Sequence, residues 1–224
     1  MTVLQSPMAM FCPSQYEFPH PDTADEDGLL AVGGDLEPGR LIAAYSQGIF
    51  PWFIDRGYVF WYSPDPRAVL YPHEFRLTKS LSKSVKKQGF EFTINKNFLA
   101  VIEACSKSPN RKENGESWIS KEFITAYTKL HEYGFAMSFE CYLEGELVGG
   151  FYGVRLGRVF FGESMFYRKP DASKAALWFL CANADKLGID IIDCQQETSH
   201  LLSLGAKGIA RGEFLGILRE KISL

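Results

Sequence analysis

Phe135-Ala-Met-Ser-Phe-Glu-Cys-Tyr-Leu143, Leu147-Val-Gly-Gly-Phe-Tyr-Gly-Val154 and Arg158-Val-Phe-Phe-Gly-Glu-Ser-Met-Phe166 are three strand-like runs, joined by Glu144-Gly145-Glu146 and Leu156-Gly157. Glycine-bearing connectors this short predict an antiparallel meander. Working outward, Ala172–Leu187 reads as a helix ended by Gly188. Ile189-Asp-Ile-Ile-Asp-Cys-Gln195 reads as a mostly apolar strand, expected near the centre of a sheet. Helices over 78–88, 96–105 and 121–133 and a strand over 90–94 precede the meander, and a helix over Arg211–Ile222 closes the chain. Helices, a meander, a further helix and a buried strand predict a layered α+β domain.

The first seventy residues differ. Phe18-Pro-His-Pro21, Phe50-Pro-Trp-Phe53 and Trp61-Tyr-Ser-Pro-Asp-Pro66 set proline among aromatics. Proline restricts itself and its predecessor, so turns and extended segments are expected. One helix is predicted from about Pro38 to Gln47, with Pro38 in its first turn, Leu41, Ile42 and Tyr45 on one face and Gly48 past its end. Val32-Gly-Gly-Asp35 lacks the Gly-x-Gly-x-x-Gly spacing and flanking strand of a phosphate loop.

The 224-residue chain is 46% hydrophobic and 23% charged, a globular composition sufficient for one domain or a small pair. No apolar stretch approaches the roughly 20 residues that span a bilayer, and Met1–Met10 lacks the basic and apolar regions of a secretion signal. Five cysteines without a Cys-x-x-Cys pair argue against a disulfide framework or a zinc knuckle, so a reducing cytoplasm is expected. With a net charge of −3, a nucleic-acid partner would need a local basic patch. Lys79, Lys83, Lys86 and Lys87 supply one at i, i+4, i+7 and i+8, beside Arg76 and with no acid among them. Leu77, Leu81 and Val85 form an inner stripe. Phosphate binding and a merely solvated face both fit this pattern.

Asp193 and Gln195 stand at i and i+2 of the apolar strand and therefore face one side. A carboxylate there is costly unless paired or functional; a loop-end Asp capping the next turn is the alternative. Glu163 is a second such carboxylate, within an aromatic strand. If the two strands pair, Glu163, Asp193 and Gln195 converge on one cleft, as in an acid–base or amine-binding site. His20, His73 and His131 have no metal-ligand spacing, while His200 follows the Asp193 strand and keeps a candidate role. Cys194 alternates with Asp193 and Gln195 and should face away, so covalent catalysis is not expected. Trp52, Trp61 and Trp118 serve either a small local core or a base-stacking platform.

Phe50-Pro-Trp-Phe53, Trp61-Tyr-Ser-Pro-Asp-Pro-Arg-Ala-Val-Leu70, Leu147-Val-Gly-Gly-Phe-Tyr-Gly-Val154, Gly162-Glu-Ser-Met-Phe166, Ala172-Ser-Lys174 and Ile192-Asp-Cys-Gln195 resemble the leucyl/phenylalanyl-tRNA–protein transferases, from about Gly28 to Leu218. The resemblance implies a small N-terminal α/β domain, residues 1–71, and a GNAT-like catalytic domain, residues 72–224. It implies a bacterial cytoplasmic enzyme of the N-degron pathway, moving leucine, phenylalanine or methionine from aminoacyl-tRNA onto N-terminal Arg or Lys of proteins. An aminoacyl ester is already activated, so neither a cofactor nor a metal is expected. By the resemblance, Asp193 and Gln195 orient and deprotonate the amine and Glu163 helps hold the cationic substrate. Trp52 stacks on the terminal adenine, with Tyr45, Trp118 and Tyr127 around the aminoacyl-adenosine. Phe151, Phe160 and Ile192 form the amino-acid pocket, and the basic face holds the tRNA. Two departures stand out: Phe151 where a relative has methionine, and the absence of a basic, aromatic tail beyond the last helix. An acetyl-CoA-dependent GNAT N-acetyltransferase is one alternative, weakened because Arg168-Lys-Pro-Asp-Ala-Ser173 replaces the Gln/Arg-x-x-Gly-x-Gly/Ala loop. A non-catalytic tRNA-binding module is the other.

Overall fold

A computed structural model describes residues 16–107, 112–113 and 116–222. Its N-terminal part contains β1 (Leu29–Val32), α1 (Pro38–Ser46), β2 (Phe50–Asp55) and β3 (Tyr58–Tyr62). Pro38 starts α1 with its fixed φ, and the helix buries Leu41, Ile42 and Tyr45 before Gly48 ends it. The three strands form a sheet ordered β1-β3-β2. Arg56 and Gly57 both have positive φ, which gives the two-residue turn whose twist matches a hairpin. The extended segments expected here pair as strands that the sequence reading did not delimit, because aromatics on both faces of β2 and β3 hide the alternation of a half-buried strand.

The remaining elements are β4 (Arg67–Leu70), α2 (Lys79–Lys87), β5 (Glu91–Ile94), α3 (Phe98–Ser106), β6 (Lys112–Glu113), β7 (Glu116–Ser117), α4 (Lys121–Glu132), β8 (Ala136–Leu143), β9 (Glu146–Leu156), β10 (Val159–Tyr167), α5 (Ala172–Leu187), β11 (Ile191–Gln195), α6 (Ser199–Ser203), β12 (Lys207–Ile209) and α7 (Arg211–Lys221). Seven strands make the main sheet, in the order β12-β4-β11-β10-β9-β8-β5. The meander β8-β9-β10 is antiparallel as expected, and β11 joins β10 in parallel after the α5 crossover, giving a GNAT-like fold. The sequence reading groups residues 67–70 with the N-terminal unit; hydrogen bonding instead places β4 between β11 and β12 of the main sheet.

One face of the sheet packs on α2 and α5, through Leu81, Phe151, Phe160, Ala176, Leu180 and Ile192. The other packs on α1, α3, α4 and the small sheet, through Tyr45, Trp61, Val101, Phe123, Tyr127 and Phe161. Gly149 permits the tight seat of α5, since a Cβ there would lie 2.5 Å from Ala172 Cβ. Of the stripe predicted for α2, Leu81 is buried and Val85 half-buried, while Leu77 precedes the Thr78 cap and is exposed.

Candidate active site

The parallel ladder runs from Val159 opposite Ile191 to Phe161 opposite Asp193 and ends there. The residues just beyond, Glu163 on β10 and Gln195 on β11, face each other where the two strands part. Both strands change register at this point, β10 between Gly162 and Ser164 and β11 between Asp193 and Gln195. Such irregularities re-aim side chains. Gln195 has φ 63°, a left-handed conformation that non-glycine residues rarely adopt.

Glu163 is buried, and three neutral groups hold it. Tyr45 Oη donates to Oε1 at 2.7 Å, Tyr127 Oη to Oε2 at 3.0 Å, and Gln195 Nε2 to Oε1 at 2.9 Å. The two phenols also hydrogen-bond each other. Burial pushes the Glu163 carboxyl up to about 7; the nearby Asp193 charge adds to the rise, and the donated hydrogen bonds oppose it. Burial and the Glu163 charge raise both phenols well above their ordinary value, so they stay protonated.

Asp193 has a different neighbour. Arg67 Nε and Nη2 bind its two carboxylate oxygens at 2.8 and 2.7 Å, with both side chains almost wholly buried. The partner that a buried carboxylate needs thus comes from β4, far away in the sequence. Its Oδ1 also accepts the Gln195 backbone N–H at 2.9 Å. The i, i+2 alternation expected of Asp193 and Gln195 is interrupted by the register shift between them, and the two side chains reach different partners, Arg67 and Glu163.

Two cavities meet at this point. The larger, about 720 Å³, is lined by Phe151, Phe160, Leu177 and Ile192, which makes its interior apolar. The smaller, about 230 Å³, lies between Trp52 and Trp118. Glu163 and Gln195 line both. Tyr45 and Tyr127, expected around the aminoacyl-adenosine, are wholly buried, line neither cavity and hydrogen-bond Glu163. His200 lines the larger cavity, its pKa lowered by burial and then by Lys174. Cys194 lines both cavities, but burial first and the Asp193 charge second raise its thiol, away from a nucleophilic thiolate.

Residues 69–219 match the family model described as leucyl/phenylalanyl-tRNA protein transferase, and residues 34–65 match the model of that protein's N-terminal domain. The chain belongs to this family. A leucyl/phenylalanyl-tRNA–protein transferase of Legionella pneumophila (strain Corby) is 51% identical over 209 residues, 93% of each chain. One from Nitrosospira multiformis is 52% identical over 204 residues, 91% of this chain and 87% of the relative. The solved structure of FemX, at 12% identity, matches with a TM-score of 0.51 over 77% of this chain and 66% of FemX, a likeness of fold.

As a transferase of this family, the chain takes an aminoacyl group from tRNA and gives it to a protein. Lys79, Lys83, Lys86, Lys87 and Arg76 are all exposed, and no salt bridge joins them to another described residue. They line neither cavity, and α2, which carries the lysines, lies on the same side of the sheet as α5. Among the described residues no group of His, Cys, Asp and Glu is arranged to hold a metal, and no helix is long and apolar enough to cross a membrane. Sequence reasoning missed Arg67 as part of the transferase site. The available signal was a charged residue heading the apolar run Ala68-Val-Leu70, the counterpart of Asp193 in its own apolar strand.

Proposed function

We propose that the transferase moves leucine, phenylalanine or methionine from aminoacyl-tRNA to the N-terminal Arg or Lys of proteins, marking them for degradation in the bacterial cytoplasm. The observation that carries this reading is the meeting of an apolar and an indole-walled cavity at Glu163 and Gln195. The aminoacyl side chain occupies the cavity of Phe151, Phe160 and Ile192. The terminal adenine stacks on Trp52, with Trp118 opposite. The ester then lies at the junction, and the lysine face beside Arg76 takes the acceptor-arm phosphates.

The acceptor's α-amine, with an ordinary pKa of about 7.7–8.0, arrives mostly as a cation. Glu163 attracts it and takes one proton, for which a carboxyl near 7 is well matched. The amide oxygen of Gln195, whose Nε2 is engaged by Glu163, accepts a remaining amine N–H and aims the lone pair at the ester carbonyl carbon. The nitrogen–carbon bond forms, and the carbon–oxygen bond to ribose breaks as the proton held by Glu163 passes to the departing oxygen. The freed Glu163 carboxylate then takes the second proton of the attacking nitrogen, leaving a neutral amide. Tyr45 and Tyr127 hold the carboxyl in place during these transfers. Asp193 acts through Gln195.

An assay with labelled leucyl-, phenylalanyl-, methionyl- and isoleucyl-tRNA, and acceptors beginning with Arg, Lys or Ala, tests this. Transfer of the first three onto Arg and Lys without acetyl-CoA is expected. Equal transfer onto N-terminal Ala would overturn the assigned acceptor, and efficient isoleucine transfer would overturn the pocket.

A further inference from the structure

We propose that Arg67 is a positioning residue for the transfer reaction: through Asp193 it holds Gln195 against the amine. The guanidinium is 1% exposed and every arm is used. Nε and Nη2 grip Asp193, and Nη1 donates to the Gly48 carbonyl at 3.0 Å. Its plane lies between two rings, Phe50 at 4.9 Å and Phe214 at 4.8 Å. One side chain therefore ties three segments: the end of β11, the α1–β2 junction and α7.

The tie bears on chemistry because of where it leads. Asp193 Oδ1 accepts the Gln195 backbone N–H, and Gln195 stands in the left-handed conformation that turns its amide to Glu163. A backbone held at positive φ by a non-glycine residue persists only where its surroundings over-determine it. The Arg67–Asp193 pair supplies that surrounding. On the other arm, the bond to the Gly48 carbonyl fixes the guanidinium itself, so that its grip on Asp193 is held in one geometry. A planar fork can make all three bonds at once; a lysine ammonium cannot reproduce a bidentate grip.

This inference rests on Gln195 aligning the amine, and its test separates the two. In the full-length protein, kcat, KM and affinity for a non-hydrolysable leucyl-adenosine are measured for Arg67→Lys, Gln195→Ala and both together. Arg67→Lys should lower kcat by about 10²-fold, the scale of a one-ångström misplacement, with leucyl-adenosine affinity held to within a small factor. In the Gln195→Ala background the same change should cost little more, since the two act as a unit. A full second loss there, or a lowered Tm with normal kcat, would overturn the proposal. If Arg67→Lys does not fold, Arg67→Met with Asp193→Leu removes both buried charges together, a replacement proteins often tolerate. In that variant the ¹⁵N-resolved Gln195 backbone amide should shift and lose exchange protection ahead of its neighbours. An unmoved amide signal overturns the role of Arg67, whereas normal kcat in Gln195→Ala overturns only the amine-aligning reading.

Discussion

Asp193 and Glu163 are buried carboxylates on adjacent parallel strands, yet they sit in opposite electrostatic settings. Asp193 meets a guanidinium through two short hydrogen bonds and gains a backbone N–H besides. Glu163 meets two phenols and an amide, all neutral. A bidentate guanidinium ties one into the structure; burial among neutral donors raises the other to about 7. The first anchors structure that chemistry depends on, and the second is available for the chemistry itself.

The contrast breaks most directly under substitution. Asp193→Ala should destabilise the fold by about 3–5 kcal/mol, because it strands a buried guanidinium, and urea denaturation reads this. Glu163→Gln should barely change stability at pH 5, where the wild-type carboxyl is protonated, but lower kcat by about 10²–10⁴-fold, with leucyl-adenosine binding retained. If the two variants exchanged these outcomes, the assignment of anchor and proton acceptor would be reversed.

Acidity sharpens it next. The folded-state pKa of Glu163 lies above its unfolded value of 4.5, so the folded protein binds more protons between pH 4.5 and about 7. This group's stabilising contribution is therefore complete below that window and fades as pH rises through it, by about 3 kcal/mol. Glu163→Gln should flatten that fall in stability from pH 5 to 8. The productive encounter has one proton shared by Glu163 and the amine, so kcat/KM should be bell-shaped, with limbs near 7 and near the amine's own pKa of about 8. An unchanged acid limb in Glu163→Gln would remove Glu163 from the proton transfer.

Selectivity is a smaller effect that passes through the Glu163 cavity and not through Asp193. Isoleucine should be transferred roughly 10–200-fold less well than leucine, since only shape excludes its β-branch. Smaller still, Lys83→Glu with Lys86→Glu should weaken tRNA binding and reduce its salt slope by about one per lysine, leaving Tm and the bell-shaped profile alone. Unchanged affinity at low salt would mark the face as merely solvated.

Local pattern carried much of this protein. The helix read over Ala172–Leu187 has the observed bounds, and the meander sits where glycine-bearing connectors put it, with Glu144 and Gly145 both at positive φ. These features depend on residues a few positions apart, which periodicity and turn chemistry report directly. It also marked Glu163, Asp193 and Gln195, since a polar group in an apolar strand is conspicuous within a handful of residues. Their roles lay beyond its reach. Arg67 and Asp193 are 126 positions apart, as Tyr45 and Glu163 are 118, and neither partner is visible from the other's neighbourhood in the chain. The energy of a buried carboxylate depends on which charges and donors lie within a few ångströms in space, so only the packed strands decided that one meets a guanidinium and the other two phenols and an amide.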